Sequence, residues 1–67
     1  MTIVTVYRFE VRDEMTGEWV LSTRMATRES IEKRFQGRVL EHTAQQIEDV
    51  RLDQFDSVHL DSWGRLP

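Results

Sequence analysis

His42 and His59 are the only histidines in this chain of 67 residues, and cysteine is absent. A metal site would have to join one of them to Asp49, Asp53, Asp56 or Asp61. Protein metal sites carry recognisable spacings: H-x-x-x-H, paired cysteines, or an Asp-x-Asp-x-Asp-Gly calcium loop. None of these occurs, so both histidines read as surface residues in an acidic stretch, and neither a metal nor another cofactor is expected. Ser22, Ser30, Ser57 and Ser62 lie outside any G-x-S-x-G context, and there is no thiol to serve as a nucleophile. Gly17, Gly37 and Gly64 are isolated, as turn and cap glycines are, and do not form a phosphate cradle. A chain this short also leaves little room for a desolvated pocket of roughly 300–1,000 Å3. The sequence therefore points away from an enzyme, with no catalytic residue and no small-molecule ligand indicated.

Two other sets of residues could make contacts. Arg8, Arg12 and Arg24 fall at even positions of two strand-like runs, where together they could meet phosphates. Val4, Val6 and Val20 fall at the same parity and suggest a modest apolar patch rimmed by arginine and glutamate, the kind of patch that marks protein contacts. Trp63, with Leu66 close by, adds an aromatic anchor near a polar C-terminus; its ordinary alternative is to pack back on the sheet edge.

The elements that would carry these residues are legible. Residues 3–12 alternate, with Ile3, Thr5, Tyr7, Phe9 and Val11 on one face and Val4, Val6, Arg8, Glu10 and Arg12 on the other. Residues 18–25 form a second β-rich run, with Trp19, Leu21, Thr23 and Met25 at odd positions. Between them, 13–17 reads as a five-residue loop, opened by Asp13 bonding its own backbone and closed by a left-handed Gly17. Pairing Arg12 with Glu18 sets Val11 opposite Trp19, Phe9 opposite Leu21, Tyr7 opposite Thr23 and Thr5 opposite Met25. Every large apolar side chain then shares the odd face, and the even face carrying the valines and arginines stays open.

Thr27 is an N-cap for a helix of about two turns, with Glu29 in its first turn and Glu29–Lys33 as an i,i+4 pair. Ile31 and Phe35 lie on one side of it, ready to dock on the odd face, and Gly37 ends it as a left-handed cap. Residues 38–49 fit a strand or a helix almost equally. A strand through about Ile47 is favoured, because a hairpin needs a third strand and β-branched residues begin the run. A right-handed crossover places that strand beside the first, antiparallel, giving the order 2-1-3. Val58 and Leu60 alternate with polar residues, so 51–67 is either a short edge strand or a loose acidic tail.

The expected fold is α+β, ββαβ, with one short helix on a three-stranded, mainly antiparallel sheet over 1–50 and an acidic C-terminal segment over 51–67. In architecture, a three-stranded sheet with one helix resembles the arm-site DNA-binding domains of tyrosine recombinases. That resemblance implies a sheet entering a DNA groove. Charge weighs against it. Residues 1–40 carry seven basic and six acidic side chains and 41–67 carry two and six, so a near-neutral body joins an acidic end. Phosphate contact calls for surplus positive charge, and Glu10 and Glu18 interrupt the arginines.

The absence of cysteine, of any apolar run of about 18 residues and of a signal-peptide core points to the cytoplasm rather than a membrane or the cell exterior. Lys33 is the only lysine against eight arginines, and asparagine is absent, a bias expected of a GC-rich bacterial genome. A core this small yields a net stability of only a few kcal/mol, for which a homodimer is a natural remedy. The function expected is a small protein-interaction or accessory module that self-associates or binds a protein partner; the alternative is a weak nucleic-acid binder using Arg8, Arg12 and Arg24.

Overall fold

The computed structural model describes residues 2–66. Its longest element, β1 (Ile3–Arg12), is dense in β-branched and aromatic residues and pairs antiparallel with β2 (Trp19–Ala26). In the loop, Asp13 Oδ1 accepts the Met15 N–H at 2.8 Å, and Gly17 takes φ 76°. Thr27 then caps a short helix, its Oγ1 accepting the Ser30 N–H at 3.3 Å. Helix α1 (Arg28–Ser30) widens at once into a π turn, Ile31–Phe35, closed by the Gln36 N–H on the Ile31 carbonyl. Glu29 and Lys33 pair at 3.3 Å along it.

The sheet has five strands, and every pairing is antiparallel. β3 (Arg38–Val39) lies against Phe9 and Glu10; β4 (Gln45–Glu48) lies against β1 from Ile3 to Val6; β5 (Ser57–His59) lies against β2 from Arg24 to Ala26. The first strand does sit between the second and third. The third, expected as one run through Ile47, is interrupted by a 3-10 turn, Glu41–Thr43. Thr43 explains the break. Its Oγ1 accepts the Arg8 N–H at 2.8 Å and donates to the Leu40 carbonyl at 2.6 Å, so a side chain satisfies the β1 backbone where a ladder partner would stand. The three-stranded sheet thus becomes five-stranded, with Val58 in a true edge strand.

The hairpin register also differs from expectation. Asp13 N–H bonds the Glu18 carbonyl at 2.7 Å, and Arg12 faces Trp19, Val11 faces Val20 and Glu10 faces Leu21. The loop is one residue shorter than expected, which moves Trp19 and Leu21 to the even face. A bulge follows between Glu10 and Arg8, where Ser22, Thr23 and Arg24 stand across from Phe9; beyond it Arg8 faces Met25 and Tyr7 faces Ala26.

Apolar residues consequently form two cores, one on each face of β1. Phe9, Ala26 and Ile31 are buried on the helix side, with Tyr7, Val11, Phe35 and Val39 against them, and the Phe9 and Phe35 rings are 5.0 Å apart. Val6, Met25, Ile47 and Val58 are buried on the other face, with Val4, Leu52, Leu60 and Leu66 against them. Roofing explains the division. The helical segment 28–35 is only about 12 Å long and cannot cover Phe9 and Ala26 together with Trp19, Leu21 and Met25. The apolar residues after Leu52 instead cover Val4, Val6 and Met25. The even face, expected to be open, is closed along its first half.

The helix end brings a further correction. Gln36, not Gly37, takes the left-handed conformation, at φ 51°. Gly37 is required for space: a Cβ there would stand 2.7 Å from the Glu10 carbonyl oxygen and 3.1 Å from the Phe9 ring. No helix among the described residues is long and apolar enough to cross a membrane.

Candidate protein-contact surface

Residues directly opposite in an antiparallel pair share a face. Arg12 with Trp19, Glu10 with Leu21 and Glu10 with Arg38 therefore place five side chains on the outer half of the even face. The roof from the C-terminal segment ends just before them. Gly64 lies over Arg8, close enough that a Cβ there would be 3.6 Å from Arg8 Nη1. Beyond Arg8, Trp19 is 40% exposed and Leu21 50% exposed.

The surface is ordered by its own contacts. Arg38 Nη2 donates to Glu10 Oε1 at 2.7 Å, and its guanidinium carbon stands 4.4 Å from the centre of the Trp19 ring. Next to Gly64, Trp63 is 84% exposed on a closed turn in which Asp61 Oδ1 accepts the N–H groups of Trp63 and Arg65, both at 2.9 Å. Around the rim, an open cleft of about 330 Å3 is lined by Val11, Arg12, Glu14, Trp19, Phe35 and Gln36. These groups offer apolar area, one stacked cation and paired charges.

The residues singled out from sequence are dispersed. Val6 is fully buried and Val4 half-buried in the even-face core, whereas Val20 is exposed on the helix side, opposite Val11. The three valines do not make one patch. Arg8 is half-buried beneath the C-terminal turn, and its Nε finds no hydrogen-bond partner among the described residues. Arg12 is exposed beside Trp19. Arg24 shares the side of Ala26, where its Nη1 donates to Ser57 Oγ at 3.3 Å and lies 3.7 Å from Asp53 Oδ2. The arginines thus reach three different surroundings. A sheet roofed on both sides over half its length also departs from the simple three-stranded architecture on which the resemblance to recombinase arm domains rested. His42 lies in the 3-10 turn and His59 in β5, and no group of three metal-ligating side chains comes together among the described residues.

Asp53 organises the far edge. Its Oδ1 accepts the N–H groups of Phe55 at 2.8 Å and Ser57 at 3.2 Å, and Ser57 Oγ lies 3.0 Å from both carboxylate oxygens. Burial by itself would raise the carboxyl pKa. The N–H groups of Phe55 and Ser57, the Ser57 hydroxyl and the Arg24 charge outweigh it and hold Asp53 below its ordinary value. The loop is fastened to the helix start by Ser30 Oγ donating to the Phe55 carbonyl and by the Thr27 N–H on the Asp56 carbonyl at 3.3 Å. This is a structural clasp for β5.

Sequence reasoning passed over Leu21, Trp19 and Arg38 as surface residues because it placed the first two in the core. No local signal marked the observed register: it sets two acidic residues, Asp13 and Glu18, across the turn, whereas charge favours Arg12 opposite Glu18. No family model, curated protein or solved structure matches this chain.

Proposed function

We propose that this protein is a small non-enzymatic interaction module that contacts another protein surface through the outer sheet face at Trp19, Leu21 and Arg38. One observation carries this reading: two large apolar side chains, on alternate positions of β2, stay exposed in a chain that roofs the rest of the same face. Aromatic residues and arginine are enriched at protein contacts, and a ring already covered by a guanidinium presents a flat, preorganised platform. The Glu10–Arg38 pair supplies the polar rim.

Photo-crosslinking tests the reading. A photoreactive residue at Leu21, introduced in the cells that make the protein, is expected to give a discrete adduct, whether to a second copy or to another protein. The same group at Glu32, on the exposed side of the helical segment, should give none. Equal labelling at both positions, or none at either, refutes a specific contact at this face.

A further inference from the structure

The outer edge of β2 is unpaired over its first residues. Asp13 N–H on the Glu18 carbonyl fixes the alternation of backbone directions: Glu18 and Val20 bond inward to β1, while Trp19, Leu21 and Thr23 point their N–H and C=O groups outward. The Leu60 N–H takes the Thr23 carbonyl at 3.0 Å, and β5 pairs only from Arg24 onward. Among the described residues, no strand stands against Trp19 and Leu21. Exposed edges are normally blunted by proline, lysine or inward charge. The stretch Trp19-Val20-Leu21 has none of these, and the bulge that would twist the edge away begins only after it.

Resting on the interaction function proposed above, we infer that this edge pairs antiparallel with the same stretch of a second copy, joining the two sheets across a two-fold axis at Val20. Trp19 then stands opposite the partner's Leu21, and the pair exchanges N–H···O bonds in both directions. Setting Trp19 opposite the partner's Trp19 would place Leu21 against Gly17, whose N–H already bonds the Asp13 carbonyl. Setting Leu21 opposite the partner's Leu21 would place Trp19 against Thr23, whose carbonyl Leu60 already occupies.

The side chains in this register are self-complementary on both faces. On the outer face, Leu21 and Trp19 of the two copies make one apolar block, bounded by Glu10 with Arg38 at one end of each row and by Arg12 at the other. On the helix side, Val20 meets the partner's Val20, and each is backed by its own Val11. Glu18 lies opposite the partner's Ser22, whose short hydroxyl side chain leaves room for it. Of the other edges, β4 presents Gln45, Gln46 and Glu48, while β3 is two residues long and β5 three, and none offers such an apolar row. A second copy fits the β2 edge because an antiparallel strand with these properties is its own complement.

Val20 gives a register-specific test. In a pair that does not exchange hydrogen bonds, opposing Cα atoms are about 4.5 Å apart, within disulfide range. With no native cysteine, Val20→Cys in a glutathione redox buffer is expected to form a covalent dimer at least tenfold faster than Glu32→Cys. Sedimentation velocity of the unaltered chain should show a dimer at about 100 µM. Leu21→Pro removes an outward N–H without touching the β1 ladder and should return it to monomer; Leu21→Lys, with circular dichroism as a check on folding, serves if the proline variant does not fold. A dimer that survives a folded Leu21 variant, or a Val20→Cys rate no greater than that of Glu32→Cys, overturns the edge pairing. A monomeric chain also overturns it. If a monomer still yields a Leu21 adduct to a different protein, the interaction function stands without the second copy; if it yields none, both fall.

Discussion

The guanidinium carbon of Arg38 stands 4.4 Å from the centre of the Trp19 ring, while Nη2 of the same group donates to Glu10 Oε1 at 2.7 Å. Three strands meet in this contact, since Trp19 is on β2, Glu10 on β1 and Arg38 on β3. A cation over an exposed aromatic ring contributes about 0.5–1 kcal/mol, and an exposed ion pair about 0.2–1 kcal/mol. Arg38→Ala is therefore expected to cost about 1 kcal/mol in urea denaturation, and Arg38→Lys to recover the Glu10 pair but little of the stacking. An Arg38→Ala variant as stable as the parent would show that the contact does not hold β3 in place.

The two-core division predicts a sharp contrast between neighbouring aromatic residues. Phe9 is fully buried between Ile31 and Gly37, and Phe9→Ala should cost about 3–5 kcal/mol, enough to unfold a domain this small. Trp19→Ala and Leu21→Ala remove half-exposed side chains and should each cost about 1 kcal/mol or less. Equal losses at Phe9 and Trp19, measured by thermal or chemical unfolding, would contradict the hairpin register.

That register marks where the sequence stopped being legible. Alternation in residues 3–12, the Asp13 turn, left-handed Gly17, the Thr27 cap and docking of Ile31 and Phe35 beside Phe9 all follow from local rules, and all are present. The register depends instead on how much apolar surface each roof can cover. A single short helix could not cover every odd-position side chain, and Val58, Leu60 and Leu66 required a face of their own. The candidate surface follows the register, because Trp19 and Leu21 change faces with one residue of slip. Thr43 shows the same limit: replacing a ladder bond by a hydroxyl is visible only once Arg8 and Thr43 are brought together.

At the end of the helical segment, Gln36 and Gly37 predict opposite outcomes for adjacent substitutions. Left-handed backbone costs a residue with a side chain roughly 1 kcal/mol relative to glycine, so Gln36→Gly should stabilise by about 0.5–1 kcal/mol. Gly37→Ala would force a Cβ to 2.7 Å from a backbone oxygen of β1, and should destabilise by about 1–3 kcal/mol. Comparing the two urea midpoints decides the matter; a tolerated Gly37→Ala would mean that β1 and the helix end are not in this close approach.

Asp53 predicts how stability responds to acid. Its folded-state pKa is depressed, so the unfolded chain binds the proton more readily, and stability falls as pH drops. The contribution is complete above the unfolded value of about 3.9 and is lost as pH falls through the lower folded value. Asp53→Asn keeps the shape of the clasp but removes the titration. It should be less stable than the parent at pH 7, have a shallower slope below about pH 4, and converge on the parent once pH falls below the depressed folded-state value. Because Asp53, Ser57 and Arg24 fasten β5 to β2, the variant should also expose the β5 amides to faster hydrogen exchange at neutral pH. Parallel stability curves for the two proteins from pH 7 to pH 2, with unchanged exchange in residues 57–59, would remove Asp53 from this role.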